Sequence, residues 1–202
     1  MEDVLATIDV QRRRFTVDEY YRMASAGILT EKDRVELIEG EIMLMAPIGS
    51  RHSVCVSALL ERLMPAVRGR ATLRPQLPLF VSSTTEPEPD IVLVSPSPKY
   101  WTGHPRPEDV LLVVEVAETS YRYDRNVKLP LYARAGIADV WIVDLVHTAV
   151  EVYREPGPDG YRSTQRLERG ATVSPAAFPD VRITVDEILP PVPPISTGPS
   201  RT

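Results

Sequence analysis

The 202-residue chain has a single cysteine, Cys55, which rules out an internal disulfide framework and a cysteine-clustered zinc site. No apolar stretch approaches the roughly 20 residues that a membrane span requires. The opening stretch, MEDVLATIDVQRRRF, carries two early acids and no apolar core ahead of a cleavage site, so it does not read as a secretory signal. A cytoplasmic protein without a membrane role is the expectation. Positive charge is also short. A net charge of −5 argues against a strongly basic nucleic-acid coat protein. It leaves room for an enzyme that neutralises its own acids with a divalent metal and presents arginines locally. Gly-x-Ser-x-Gly, a phosphate-binding glycine loop and a cysteine/histidine cluster are all missing, so serine-hydrolase, nucleotide-triphosphatase and zinc readings lack support.

What is present is an ordinary globular composition, 43% hydrophobic and 25% charged, over a length that suits one domain with a real core. Residues 1–189 are expected to form that domain. Residues 190–202, with PPVPP and small polar side chains, are too poor in apolar groups to fold and read as a disordered Pro-rich tail. Thr16 and Glu19 make a capping box for a short helix, VDEYYRMASAG, closed by Gly27. RVELIEGEIMLM alternates around Glu39-Gly40 as a β-hairpin, and Ser50 to Val67 has helical spacing. From Ala71, the residues Leu73, Leu77, Leu79 and Val81 suggest a strand, and Pro75 and Pro78 make it an edge or irregular one. DIVLV, LLVVEVA, DVWIVDLV, TAVEVYRE and YRSTQRLE read as further strands, with a helical segment ending near Gly136 among them. The order implies an α/β or α+β fold around a mixed sheet flanked by helices.

Glu115 breaks a strand that is otherwise buried on both faces, where an unpaired charge costs several kcal/mol. Asp90 opens DIVLV, 25 residues earlier. If the two strands are neighbours, both carboxylates meet at one end of the sheet, and one must take a proton unless a cation lies between them. Oxygen donors of this kind suit Mg²⁺ or Mn²⁺. Asp124, Lys128 and Tyr132, spaced by four, share a helical face, although Pro130 bends that helix. Two acids and a lysine are the parts that metal-assisted phosphodiester hydrolysis needs: the acids hold an ion that polarises the phosphoryl oxygen and activates water, and the lysine offsets negative charge. The bland alternative is an internal salt bridge from Glu115 to Lys128 or an arginine. A second Pro-Asp, Pro179-Asp180, has neither a later strand acid nor a lysine after it and reads as a turn. Two arginine groups, Arg12 to Arg14 and Arg68, Arg70 and Arg74, are candidate basic patches or plain solvated surface.

RVELIEGEI, His52, PEPDIVLV, VVEVAETS, DRNVKLPLYARAGI and DVWIVD together resemble the Uma2 family, a restriction-endonuclease-like branch of the PD-(D/E)XK nuclease superfamily, over roughly Phe15 to Tyr153. The resemblance implies a divalent metal on Asp90 and Glu115, joined by the backbone carbonyl of Val116. Glu36 matches an early family acid that reaches the metal directly or through water, or is only an exposed hairpin acid. The superfamily lysine usually stands two residues after the acid, where this chain has Ala117; the family pattern moves it to the next helix, as Lys128. Ser120 and Asp124 match supporting positions. His52 matches a family histidine that could touch substrate or the water beside the ion, or simply cap and pack. His104 and His147 receive no role.

The leading expectation is therefore a Mg²⁺- or Mn²⁺-dependent endonuclease acting on DNA, with Asp90, Glu115 and Lys128 as its catalytic set. The rivals are a binding or scaffold module in which the acids and Lys128 form a structural ion-pair network, and a hydrolase of another phosphate ester. A homodimer through exposed edges of the late strands would suit double-strand cutting.

Overall fold

The computed structural model describes residues 12–30 and 32–191. The expected tail lies outside the described residues from position 192 onward. Helix α1 (Val17–Ser25) begins with the expected reciprocal capping box between Thr16 and Glu19. Strands β1 (Val35–Ile38) and β2 (Glu41–Leu44) pair antiparallel around a two-residue turn. Both turn residues, Glu39 at φ 48° and Gly40 at φ 80°, lie in the left-handed region, as a type I′ hairpin requires. Helix α2 (Ser50–Ala66) follows and buries Cys55, Val56, Leu59 and Leu63.

Six strands then form one mixed sheet in the order β3 (Thr72–Pro75), β4 (Ile91–Val94), β5 (Val110–Ala117), β6 (Asp139–Asp144), β7 (Ala149–Gly157) and β8 (Gly160–Leu167). All neighbours are antiparallel except β5 and β6. Between those two runs a connection containing α3 (Tyr121–Tyr123), one π-helical turn (Asp124–Lys128) and α4 (Leu129–Arg134). A crossover between parallel strands needs such a covering element. Strands β9 (Thr172–Val173) and β10 (Ile183–Thr184) and the short helix α5 (Val185–Ile188) complete the described chain.

The strand expected from Ala71 is shorter than its alternation suggested. It stops at Pro75; Gln76 turns through φ 48° and Leu77 is exposed. Pro78 cannot donate to a ladder, so the chain beyond leaves the sheet as an irregular segment until Asp90.

Alternation along each strand sorts the side chains between two cores. Ile91, Leu93, Leu112, Val114, Val116, Trp141 and Val143 face α2 and α5. Val92, Val94, Val113, Ala117, Val140 and Ile142 face the opposite side, with Leu129 and Tyr132 from the crossover. Glu115 falls between Val114 and Val116 and so belongs to the crossover side. The acid is thus buried under the helical segment that carries Lys128.

Candidate active site

Asp90 immediately precedes β4, and Ile91 pairs with Val114, so the next residues along the two strands are Asp90 and Glu115. Asp90 is tied into this corner by its own bonds. Its Oδ2 accepts the Val116 N–H at 2.8 Å, and its Oδ1 accepts from Gln76 Nε2 at 3.3 Å and lies 3.0 Å from His52 Nε2. Glu115 Oε1 accepts the Tyr132 hydroxyl at 2.6 Å and lies 3.4 Å from Lys128 Nζ. Lys128 Nζ lies 3.1 Å from Glu36 Oε2, which also accepts the Glu88 N–H at 3.1 Å. Glu36 thereby joins the hairpin, the segment leading to Asp90 and the crossover lysine. It is buried, not the exposed hairpin acid that was the alternative.

The π-helical turn aims these groups. Pro130 occupies the first turn of α4 and has no N–H to give, and Leu129 N–H reaches back to the Asp124 carbonyl across five residues. Asp124 and Lys128 are both buried on this turn, and Ser120 Oγ donates to Asp124 Oδ2 at 2.6 Å.

All six sequence-derived site residues, Glu36, His52, Asp90, Glu115, Val116 and Lys128, line one cleft of about 350 Å³. Glu88, Glu118 and Asp124 line it too, so six carboxyl groups face Arg34, Lys128 and His52. The imbalance shows in their titration. Burial raises the Glu115 carboxyl; Lys128 opposes this, while Asp124 and Asp90 add to it. Burial pushes Asp124 up to about 6, against the pull of Lys128 and Ser120. Burial and then Glu36 raise Glu88. For Lys128 burial works against the charge, but Glu115, Glu36 and Asp124 outweigh it and hold the ammonium. Within the Lys128–Glu115 pair the lysine keeps its proton, and the carboxyl is the member that burial disfavours as an anion. The hydrogen bond to Asp90 raises His52, opposed by burial.

A surplus of carboxylates with one buried cation, Lys128, among them fits a divalent ion. Mg²⁺ is commonly bound by one or two carboxylates, with water and substrate phosphate completing its shell. Asp90 and Glu115 are a donor set of that open kind. Among the described residues no group of three or more His, Cys, Asp or Glu side chains is placed to hold a metal ion.

Residues 17–186 match the Uma2 family, described as "Putative restriction endonuclease". The chain belongs to the Uma2 family. A solved structure of similar fold is a "putative nuclease belonging to DUF820" from Anabaena variabilis, with a TM-score of 0.67 and 18% identity, covering 86% of this chain and 97% of that one. At that identity the likeness speaks for the fold. No curated protein matches this chain. The nuclease-like fold read from the sequence is thus present, with its mixed six-stranded sheet. In this Uma2 chain the position two residues after Glu115 is the buried Ala117, and the ammonium enters from the crossover instead.

Sequence reasoning did not assign Glu88 or Glu118 to the cleft, nor see that Tyr132 bonds Glu115. The row PEPD did carry a signal: in an extended segment, residues two apart repeat direction, which links Glu88 with Asp90. The two arginine runs are largely absorbed by local ion pairs, Arg13 with Glu19, Arg14 with Glu41 at 3.4 Å and Arg70 with Asp180 at 2.6 Å. Asp180 itself lies in a turn, as its Pro-Asp context indicated.

Proposed function

We propose that this protein is a divalent-metal-dependent phosphodiester hydrolase, an endonuclease acting on DNA. The observation that carries the reading is the meeting of Asp90, Glu115 and Lys128 in one cleft with a surplus of buried acid. Asp90, Glu115 and the Val116 carbonyl would hold Mg²⁺ or Mn²⁺. When bound, such an ion supplies Lewis acidity toward a phosphoryl oxygen and lowers the pKa of water.

The remaining work falls to the chain's own groups. Lys128 acts as a fixed ammonium that orients the attacking water and offsets the negative charge developing on the phosphoryl group. Its two carboxylate partners keep it protonated, which suits charge stabilisation better than proton removal. Glu36 sets the position of that ammonium and takes its place here as the lysine's partner. Tyr132 donates to Oε1 of Glu115 and fixes the orientation of that carboxyl, which would help to hold the ion. His52 orients Asp90 through Nε2, and its Nδ1 is buried without a hydrogen-bond partner. Double-strand cutting on this reading pairs two copies, and the open edge of β8 is a surface that could join them.

The test is cleavage of supercoiled DNA, single-stranded DNA, RNA and small phosphodiesters with Mg²⁺ or Mn²⁺. Asp90→Ala and Glu115→Ala should each abolish metal-dependent cleavage while leaving the melting transition cooperative. Parental cleavage by either variant refutes the assignment. The scaffold reading also has an observation in its favour, because Lys128 pairs with both Glu36 and Glu115. Calorimetry separates the two: no heat of binding at millimolar Mn²⁺ favours the scaffold.

A further inference from the structure

Glu115 has a counterpart two strands away. Across the sheet Glu115 pairs with Ile142, Ile142 with Glu151, and Glu151 with Arg166, a continuous row on the crossover face. At about 4.8 Å per strand, Glu151 stands roughly 10 Å from Glu115. The crossover reaches both. Lys128 and Tyr132 bond Glu115, while Tyr121 donates to Glu151 at 3.0 Å and Arg125 approaches it at 3.8 Å. Arg166 meets the same carboxylate at 3.1 Å. Beside this hub the β6–β7 turn is gripped from two sides. Arg51 donates to the Leu145 carbonyl at 2.7 Å and Arg166 to the His147 carbonyl at 3.3 Å. His147 in turn lies 2.6 Å from buried Asp144 and stacks edge-on against Tyr121.

The asymmetry of exposure is the point. The side chains of Arg51, Arg125 and His147 are 49%, 51% and 60% exposed, whereas Glu151 is 8% and Asp144 0% exposed. Arg125 and Arg166 face the solvent above the buried carboxylate they share, and Arg51 is held by the Leu145 carbonyl and the part-exposed Glu118, so the surface presents guanidinium groups already held in place. This shelf borders the cleft directly: Arg51 also bonds Glu118 at 3.2 Å, and Arg51 adjoins His52 as Tyr121 adjoins Ser120, all three of these neighbours being cleft-lining residues. A cleft lined by six carboxyl groups repels a polyanion. A chain with net charge −5 needs exposed guanidinium groups beside the cleft to bring one in, although here each is also paired with an acid, Arg166 lying 4.0 Å from the exposed Glu168 as well.

We propose that Arg51, Arg125 and Arg166, with His147, form a shelf that binds the phosphate backbone of nucleic acid and leads it into the acidic cleft. The proposal rests on the phosphodiesterase reading for its direction, but binding is separable from cleavage. Guanidinium groups pre-positioned by buried carboxylates lose little freedom on meeting phosphate, and they fix register without reading sequence.

The experiment is metal-free binding, in EDTA, of fluorescently labelled duplex and single-stranded DNA over a series of salt concentrations. Arg51→Gln, Arg125→Gln and Arg166→Gln, singly and combined, keep an amide donor for the buried acids and remove the charge. Arg62→Gln and Arg70→Gln, which pair with Glu187 and Asp180 elsewhere, serve as controls. Each shelf variant should reduce the slope of log affinity against log salt by about 0.9 for duplex and about 0.7 for single strands. The triple variant should bind at least ~10-fold more weakly, and the controls should match the parent. If the triple variant fails to melt cooperatively, the single variants decide. Parental slopes in the shelf variants, or no metal-free binding by the parent at low salt, overturn the shelf. Binding that depends on the shelf without any metal-dependent cleavage upholds it and sinks the hydrolase reading instead.

Discussion

Glu115 and Glu86 are both buried carboxyls, and they meet the cost of desolvation differently. Glu115 sits among charges, beside Lys128 and a bonding tyrosine. Glu86 has the Tyr21 hydroxyl on Oε1, while Oε2 is buried without a hydrogen-bond partner. Burial raises its pKa above the ordinary 4.5, and Tyr21 only partly opposes this. Because the folded value is the higher one, the associated stability is fully present below about pH 4.5 and is lost as the pH rises through the folded value. Glu86→Gln keeps an acceptor for Tyr21 and cannot ionise. Its melting temperature should therefore fall less than the parent's as the pH is raised from about 4 to 8. Parallel curves for the two proteins would show that Glu86 ionises in the fold without strain. Residues of this kind were legible from the sequence only in part. The break that Glu115 makes in LLVVEVA announced a buried acid, because a charge inside a continuous apolar run has few alternatives. Glu86 and Glu88, within a polar and proline-rich stretch, carried no such contrast.

The elements divide in the same way. The β1–β2 hairpin was readable because its turn chemistry is local: two residues, with glycine where a positive φ is needed. The structure adds a second reason for that glycine. A Cβ on Gly40 would stand 2.5 Å from Arg14 Cβ and 3.0 Å from the Phe15 nitrogen, while the Gly40 N–H donates to the Thr84 carbonyl at 2.7 Å. Gly40→Ala should thus cost ~2 kcal/mol or more, the left-handed penalty plus displacement of the preceding chain. Urea denaturation measures it, and a loss under ~0.5 kcal/mol would mean that the chain before α1 yields freely. The crossover was readable as a helix bearing Asp124, Lys128 and Tyr132 on one face. Its π-helical turn was not. Pro130 signalled a disturbance, but whether it kinked, ended or widened the helix depended on what packed beneath it. Trimming of the expected strand after Ala71 to Thr72–Pro75 has a similar cause, since β4 offers only four partner residues there.

At the scale of the molecule the cleft is made by three connections that are distant in sequence: the hairpin acid Glu36, the β4–β5 corner and the crossover. A ligand that binds this arrangement and not the unfolded chain must stabilise it. Mn²⁺ at about 100 times its dissociation constant should add ~2.7 kcal/mol, and so raise the melting temperature by roughly 5–10 °C for a chain of this size. Asp90→Ala and Glu115→Ala should lose that increment. An equal rise in either variant would place the ion elsewhere. Among the described residues no helix is long and apolar enough to cross a membrane.

The sequence by itself determined the strand and helix periodicities, the hairpin turn, the helix cap and the order in which the acids and the lysine occur. Those depend on neighbours a few positions away and on side-chain volume and polarity. Only the tertiary structure decided that Glu115 faces the crossover, that Tyr132 and Lys128 meet it, that His52 bonds Asp90, and that scattered arginines gather beside Glu151. The reason is register. A strand shifted by one residue turns every side chain to the other face, and the pairing of β5, β6 and β7 selects one register through the burial of whole strands.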